Sequence, residues 1–232
     1  MATRAVHPTP TGSPLPLYRM DVTTYARLVE AGALEGVDVE LLDGLLVNSE
    51  PRHGDALHRF DVGTFERLVA TGLLEDLPIE LLDGLLVEVS PQGPQHAAVI
   101  MRLTRHLGTA RAWLRVQLPV ESAWDSLPEP DLALLAQSPP VRRHPRALLL
   151  AVEVAVTSHE QDRETKANLY AATPIPVYWL VDVPARTIEV RSDPGPKGYR
   201  RCETYEIGGQ VPSPADGVPE LDVTALFDGI AG

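Results

Sequence analysis

A mixed α/β layer fold is predicted by three features of this sequence. The run Ala147 to Val156, ALLLAVEVAV, is apolar at every position but one, as expected of a strand covered on both faces. Helical and strand-like stretches follow one another in the order helix, strands, helix, strands. Two Asp-Gly pairs, each set between apolar runs, mark hairpins. With 232 residues, of which 44% are hydrophobic, the chain can bury the core of one large domain with an elaborated terminus.

The N-terminal elements come in duplicate. Residues 18–47, YRMDVTTYARLVEAGALEGVDVELLDGLLV, return at 58–87 as HRFDVGTFERLVATGLLEDLPIELLDGLLV, with 18 of 30 positions identical. Two copies are too few for a solenoid. The chain therefore divides into a loop or disordered leader over 1–17, a partial duplicate over 18–57 and the main domain over 58–232. Each copy reads as a helix followed by a hairpin. Asp61 and Thr64 precede the helical spacing Phe65, Leu68 and Val69, and Gly72 is placed to end that helix. Asp83-Gly84 and Asp43-Gly44 predict type I′ turns, in which both central residues need positive φ.

Residues 95–115 carry Val99, Ile100, Leu103 and Leu107 at helical spacing, with Arg102, Arg105, Arg111 and Arg115 among them, which predicts a helix with a basic side. Strands are expected at 113–120, 131–136 and 147–156. A second long helix follows, capped by Ser158 with Gln161 as in a capping box and stopped before Pro174. Strands at 177–183, 186–191 and 198–207 complete the sheet, and LDVTALF ends the chain with a short helix. The Pro- and Gly-rich stretches 138–145 and 208–219 read as loops.

Composition narrows the function classes. Acidic residues outnumber basic ones 32 to 20, a net charge of −12, which counts against a generic polyanion binder. It leaves room for a local basic groove, and for carboxylates gathered to hold calcium or magnesium. No apolar run approaches the ~20 residues of a membrane span, and MATRAVHPTP lacks the apolar stretch of a signal peptide, so a cytoplasmic location is expected. The single cysteine, Cys202, excludes an internal disulfide, and no Cys/His cluster offers a zinc site. Lys166 and Lys197 are the only lysines.

Glu153 is the sharpest chemical signal. Every other residue from Leu148 to Val156 is apolar, and a carboxylate there must be paired, bound to metal or neutralised. An outward-facing residue on an edge strand, or a structural ion pair, is the plainer alternative. Asp131, in Glu129-Pro130-Asp131, starts the preceding strand and can stand beside Glu153, where two carboxylates repel unless a cation or proton intervenes. Lys166, thirteen residues past Glu153 on the next helix, is a candidate to orient water or stabilise phosphoryl charge, against the plainer picture of a solvated lysine paired with Asp162. Glu80 sits between apolar neighbours and points either to the ion or to solvent. His96, at the start of the basic helix, is a candidate proton carrier or phosphate contact, against a capping or surface histidine. Glu40 duplicates Glu80 without the downstream segment and is assigned no site.

Taken in order, Glu80-Leu-Leu-Asp-Gly, Ser90-Pro with His96, Glu129-Pro-Asp131, Val152-Glu153-Val154, Asp162-Arg with Lys166 and Tyr170, and Ile175-Pro-Val-Tyr-Trp-Leu-Val-Asp182 form a set. This set resembles the Uma-type family of restriction endonucleases within the PD-(D/E)xK nuclease superfamily, over about residues 58–228. The resemblance implies a restriction-endonuclease-like mixed β-sheet flanked by helices. It also implies a divalent metal, Mg2+ or Mn2+, used to hydrolyse a nucleic-acid phosphodiester. By this likeness Asp131 and Glu153 are the principal metal ligands, Glu80 an auxiliary acid and metal ligand, and Lys166 the catalytic lysine. The superfamily pattern places its lysine two residues after the acid, where this chain has Ala155. Ala155 leaves space beside Glu153 for a lysine arriving from the next helix, and Asp162-Arg-x-x-Lys166 matches that relocation.

Two readings follow. In the first, the chain is a magnesium-dependent nuclease acting on DNA, with Arg102, Arg105, Arg111 and Arg115 on backbone phosphates. In the second, it is a non-catalytic module that uses the duplicated unit for self-association, as a homodimer, or for partner binding.

Overall fold

The computed structural model describes residues 15–49, 56–89, 92–123, 125–156 and 160–230. The Ser158 cap with its Gln161 side-chain partner, and the leader up to residue 14, lie outside the described residues.

Two helix–hairpin units open the chain. The first comprises α1 (Val22–Glu30), β1 (Val39–Leu42) and β2 (Leu45–Asn48), and the second α2 (Val62–Ala70), β3 (Ile79–Leu82) and β4 (Leu85–Glu88). Each helix starts on an aspartate cap, Asp21 or Asp61, whose carboxylate accepts the backbone N–H three residues on, at 2.9 and 2.8 Å. Each hairpin turns on Asp-Gly with positive φ at both positions: 48° and 76° at Asp43-Gly44, 50° and 74° at Asp83-Gly84. Residues 15–17 continue this layer, because Leu17 forms an antiparallel bridge with Val87.

The centre of the molecule is a six-stranded sheet built from β5 (Trp113–Val116), β6 (Leu132–Leu135), β7 (Leu148–Ala155), β8 (Val177–Asp182), β9 (Thr187–Gly195) and β10 (Gly198–Tyr205). In space the order is β10-β9-β8-β7-β6-β5. All neighbours are antiparallel except β7 and β8. Parallel strands need a crossover, and α4 (Glu160–Ala172) supplies it. Period-two alternation then sorts the side chains. Leu132, Leu134, Leu150, Val152, Val154, Trp179 and Val181 pack under α3 (Pro94–Leu107) and the C-terminal helix, residues 223–227. Ala133, Leu135, Ala151, Tyr178 and Leu180 lie on the other face with Ala167 and Tyr170 of α4. β7 is covered on both sides, as its apolar sequence requires.

The structure corrects two sequence expectations. The helix expected over 95–115 stops at Leu107. Gly108 and the strand-forming run Trp113-Leu-Arg-Val replace the helical period, so Arg111 falls on a connection and Arg115 on β5. The expected loop at 208–219 contains a two-residue strand, β11 (Gln210–Val211), which pairs with β12 (Leu221–Asp222) ahead of α5 (Val223–Phe227).

The second hairpin is fastened to the sheet layer. Leu127 N–H donates to Leu81 O at 2.8 Å, Asp83 N–H to Ser126 Oγ at 2.8 Å and Gly84 N–H to Asp125 O at 3.1 Å. Leu82 and Val87 pack on Leu169 of α4. Gly84 leaves no room in this arrangement, because a Cβ there would lie 2.8 Å from Arg59 Cβ and 3.0 Å from Phe60 O. Gly36 has a similar φ of 76° and nothing within 4 Å of such a Cβ. Gly84→Ala should therefore cost about 1–3 kcal/mol more than Gly36→Ala, the added loss being overpacking, since both share the positive-φ penalty. Urea unfolding of the two variants measures the difference.

Candidate active site

Four elements meet at the carboxyl end of β7. Alternation along β7 places Leu150, Val152 and Val154 towards α3, so Glu153 points to the α4 side with Ala151 and Ala155. In the antiparallel β6–β7 pair Leu132 stands opposite Val152, so one step further along sets Asp131 beside Glu153. Lys166 comes from the crossover helix and Glu80 from β3.

All of the sequence-predicted acids, Lys166 and His96 come together here. Glu80 is 3% exposed, Asp131 6%, His96 6% and Lys166 7%. Lys166 Nζ donates to Glu80 Oε1 at 3.1 Å and to Glu153 Oε2 at 3.3 Å. Tyr170, one turn after Lys166, donates its hydroxyl to Glu153 Oε1 at 2.6 Å. Asp131 is held from three sides. Val154 N–H donates to Oδ2 at 2.8 Å, His96 Nε2 lies 3.0 Å from Oδ1 and 3.1 Å from Oδ2, and the Gln117 amide reaches Oδ1 at 3.4 Å. His96 Nε2 faces only carboxylate oxygens, so it acts as the donor.

Electrostatics follow from burial and crowding. Glu153 titrates at about 8, pushed up first by burial and then by the charges of Asp131 and Glu80, while Lys166 and the Tyr170 hydrogen bond oppose the rise. Burial also lifts the Tyr170 hydroxyl well above its ordinary value, with Glu153 adding to the effect. Glu129 sits at the rim, solvent-accessible, with its carboxyl raised by the surrounding protein and lowered in part by Lys166.

The donor chemistry suits a hard divalent cation, since the carboxylates of Glu80 and Glu153 meet at the Lys166 ammonium, the charge of Asp131 acts on Glu153, and every acidic donor is oxygen. Among the described residues no group of three or more His, Cys, Asp or Glu is spaced to enclose a metal ion. Asp131 and Glu153, neighbours across the β6–β7 pair, could share one between them. This fits magnesium, which takes one or two carboxylates and completes its shell with water and phosphate oxygens.

Other candidates lie elsewhere. Glu40 is exposed on β1, although its local sequence matches that of Glu80. Of the four arginines, Arg102 donates to Leu226 O at 2.6 Å and Arg115 to Pro119 O at 3.2 Å, while Arg105 and Arg111 are exposed. Three residues at the site carried no assignment in the sequence reading: Tyr170, Gln117 and Glu129. Four-residue spacing from Lys166 is the signal that points to Tyr170. Gln117 adopts φ 48°, a left-handed conformation that no neighbouring residue announces.

A model of the Uma2 family, described as "Putative restriction endonuclease", matches residues 62–226. The chain belongs to the Uma2 family. A solved structure from Anabaena variabilis, described as that of a putative nuclease belonging to DUF820, superposes with a TM-score of 0.56 at 19% identity. The match covers 73% of this chain and 98% of that one. That likeness establishes the expected fold, a mixed sheet flanked by helices. No curated protein matches the sequence. No helix among the described residues is long and apolar enough to cross a membrane.

The titration of Glu153 has a measurable sign. The unfolded chain releases this proton near 4.5 and the folded chain near 8, so between those values unfolding releases a proton and the folded state loses stability as pH rises. In metal-free Uma2 protein, Glu153→Gln is expected to flatten that decline between pH 5 and pH 8, as read by urea unfolding in chelator. An unchanged slope would mean that Glu153 ionises at its ordinary value.

Proposed function

We propose that this Uma2 protein is a divalent-metal-dependent endonuclease that hydrolyses phosphodiester bonds in DNA. The observation that carries the reading is the buried Lys166 ammonium 3.3 Å from Glu153, on the α4 side of a strand whose neighbour carries Asp131. Family membership supports nuclease chemistry in general.

In this reading Asp131 and Glu153 hold Mg2+ or Mn2+, and such a cation, when bound, polarises the phosphoryl group and lowers the pKa of a bound water. Lys166 keeps a positive charge beside the reacting phosphate, where negative charge grows in the transition state. Glu80 fixes the ammonium from the far side, and Tyr170 fixes the Glu153 carboxylate. His96 and the Val154 N–H orient Asp131, the role of a group that sets a ligand rather than binding the ion. The exposed Arg105 and Arg111 are the candidates for backbone phosphates, while Arg102 and Arg115 serve the fold through their bonds to backbone carbonyls.

Purified protein with magnesium or manganese should nick supercoiled DNA. Asp131→Asn should abolish nicking, and Lys166→Gln should lower the rate by roughly 10²–10³-fold while circular dichroism stays native. Nicking that persists in Asp131→Asn rejects the assignment of Asp131, and absence of nicking by the unmutated protein with either metal favours the non-catalytic reading. His96→Ala should weaken manganese binding by about 10–100-fold in a calorimetric titration, with DNA affinity in chelator unchanged.

A further inference from the structure

The two helix–hairpin units exchange strands. Leu17 bridges Val87 of the second unit, and Leu57 bridges Val47 of the first, both antiparallel. Under the 40-residue offset between the copies these are the same contact. Tyr18 N–H donates to Leu86 O at 2.9 Å, as His58 N–H does to Leu46 O at 2.9 Å. Glu88 N–H donates to Pro16 O at 2.7 Å, as Asn48 N–H does to Ala56 O at 2.9 Å. Met20, Leu28 and Leu34 share one core with Phe60, Leu68 and Leu74.

Closure is the telling feature. An open array would pass each unit's hairpin to the strand of the next, leaving β4 waiting for a third unit and residues 15–20 without a hairpin. Here residues 15–20 return to β4, so the exchange is reciprocal. Reciprocal contact between equivalent patches is the geometry of a two-fold homodimer.

We infer that the face formed by residues 56–60, α2 and β4 is a self-complementary interface whose fitting partner is another helix–hairpin unit, and that residues 15–48 fill, within one chain, the place of a second copy. The family match begins at residue 62, so the matched part includes α2 and β4 of the second unit and none of the first unit that packs on them. In this protein the duplicated unit covers that face internally and does not join chains through it.

Full-length protein carrying Cys202→Ser tests the inference by cysteine pairing. Leu17 and Val87 form a non-hydrogen-bonded antiparallel pair, with Cα atoms about 4.5 Å apart, close enough for a disulfide. Oxidised Leu17→Cys/Val87→Cys should carry its bridge within one chain. Leu57→Cys/Val87→Cys should not bridge, because these positions pair with Val47 and Leu17 instead. When Leu28→Asp and Leu34→Asp open the first unit, the Leu57→Cys/Val87→Cys protein should become a covalent dimer on non-reducing gels. Tyr18→Pro, which deletes one N–H of the strand on β4, is the gentler opening and should give a smaller fraction of the same dimer. Absence of that dimer from both opened proteins overturns the inference, as does a Leu17→Cys/Val87→Cys bridge that joins two chains.

Discussion

The buried ammonium of Lys166 ties three elements distant in sequence to one point. It takes one carboxylate from the second hairpin and another from the central strand, and it arrives on the helix that connects β7 to β8. Removing these ionisable groups from water is costly unless they satisfy one another. The site therefore constrains the fold as much as the fold positions the site. Leu82, Val87 and Leu169 pack beside this ion cluster and hold the hairpin against α4. The hydrogen bonds from residues 125–127 to β3 and its turn hold the same hairpin to the chain leading into Asp131.

Much of this was legible in the sequence because its signals are local. Asp83-Gly84 announces its turn through the φ values that only such residues accept readily. Glu153 stands out because eight apolar residues flank it within Leu148 to Val156, and burial makes an isolated carboxylate costly. Residues 95–115 show the limit of periodicity, since a helix and a strand joined by a short connection read as one element until Gly108 is given its weight. Glu40 and Glu80 show a deeper limit. Their neighbours are nearly the same, yet one is exposed and the other is 3% exposed, and only the packing of α4 on the second hairpin decides which. No local pattern carries that difference. Gln117 is unreadable for a similar reason, because its left-handed backbone goes with a long-range hydrogen bond from its N–H to Asp131 O.

The position two residues after Glu153 leaves room for Lys166 to approach from a helix. Ala155 lies on the α4 side of β7, the same side as Glu153, and its methyl group leaves that side open. A parallel neighbour requires a crossover, and the crossover helix runs over this opening. Lys166 and Tyr170, one turn apart, both reach Glu153 from there. The approach of Lys166 to Glu153 thus follows from the one parallel strand pair in an otherwise antiparallel sheet.

That same long-range geometry governs when the ion cluster can form. Glu80 and Lys166 are separated by 86 residues, and their contact requires α4 to be docked by strands that follow it in the chain. Contacts of such high sequence separation carry a large loop-closure penalty and slow folding. During synthesis the hairpin bearing Glu80 emerges long before its ionic partner. A growing or truncated polypeptide that ends ahead of β8 has all three acids and the amine, yet lacks the strand on which α4 packs, so the cluster assembles only with the nearly finished domain.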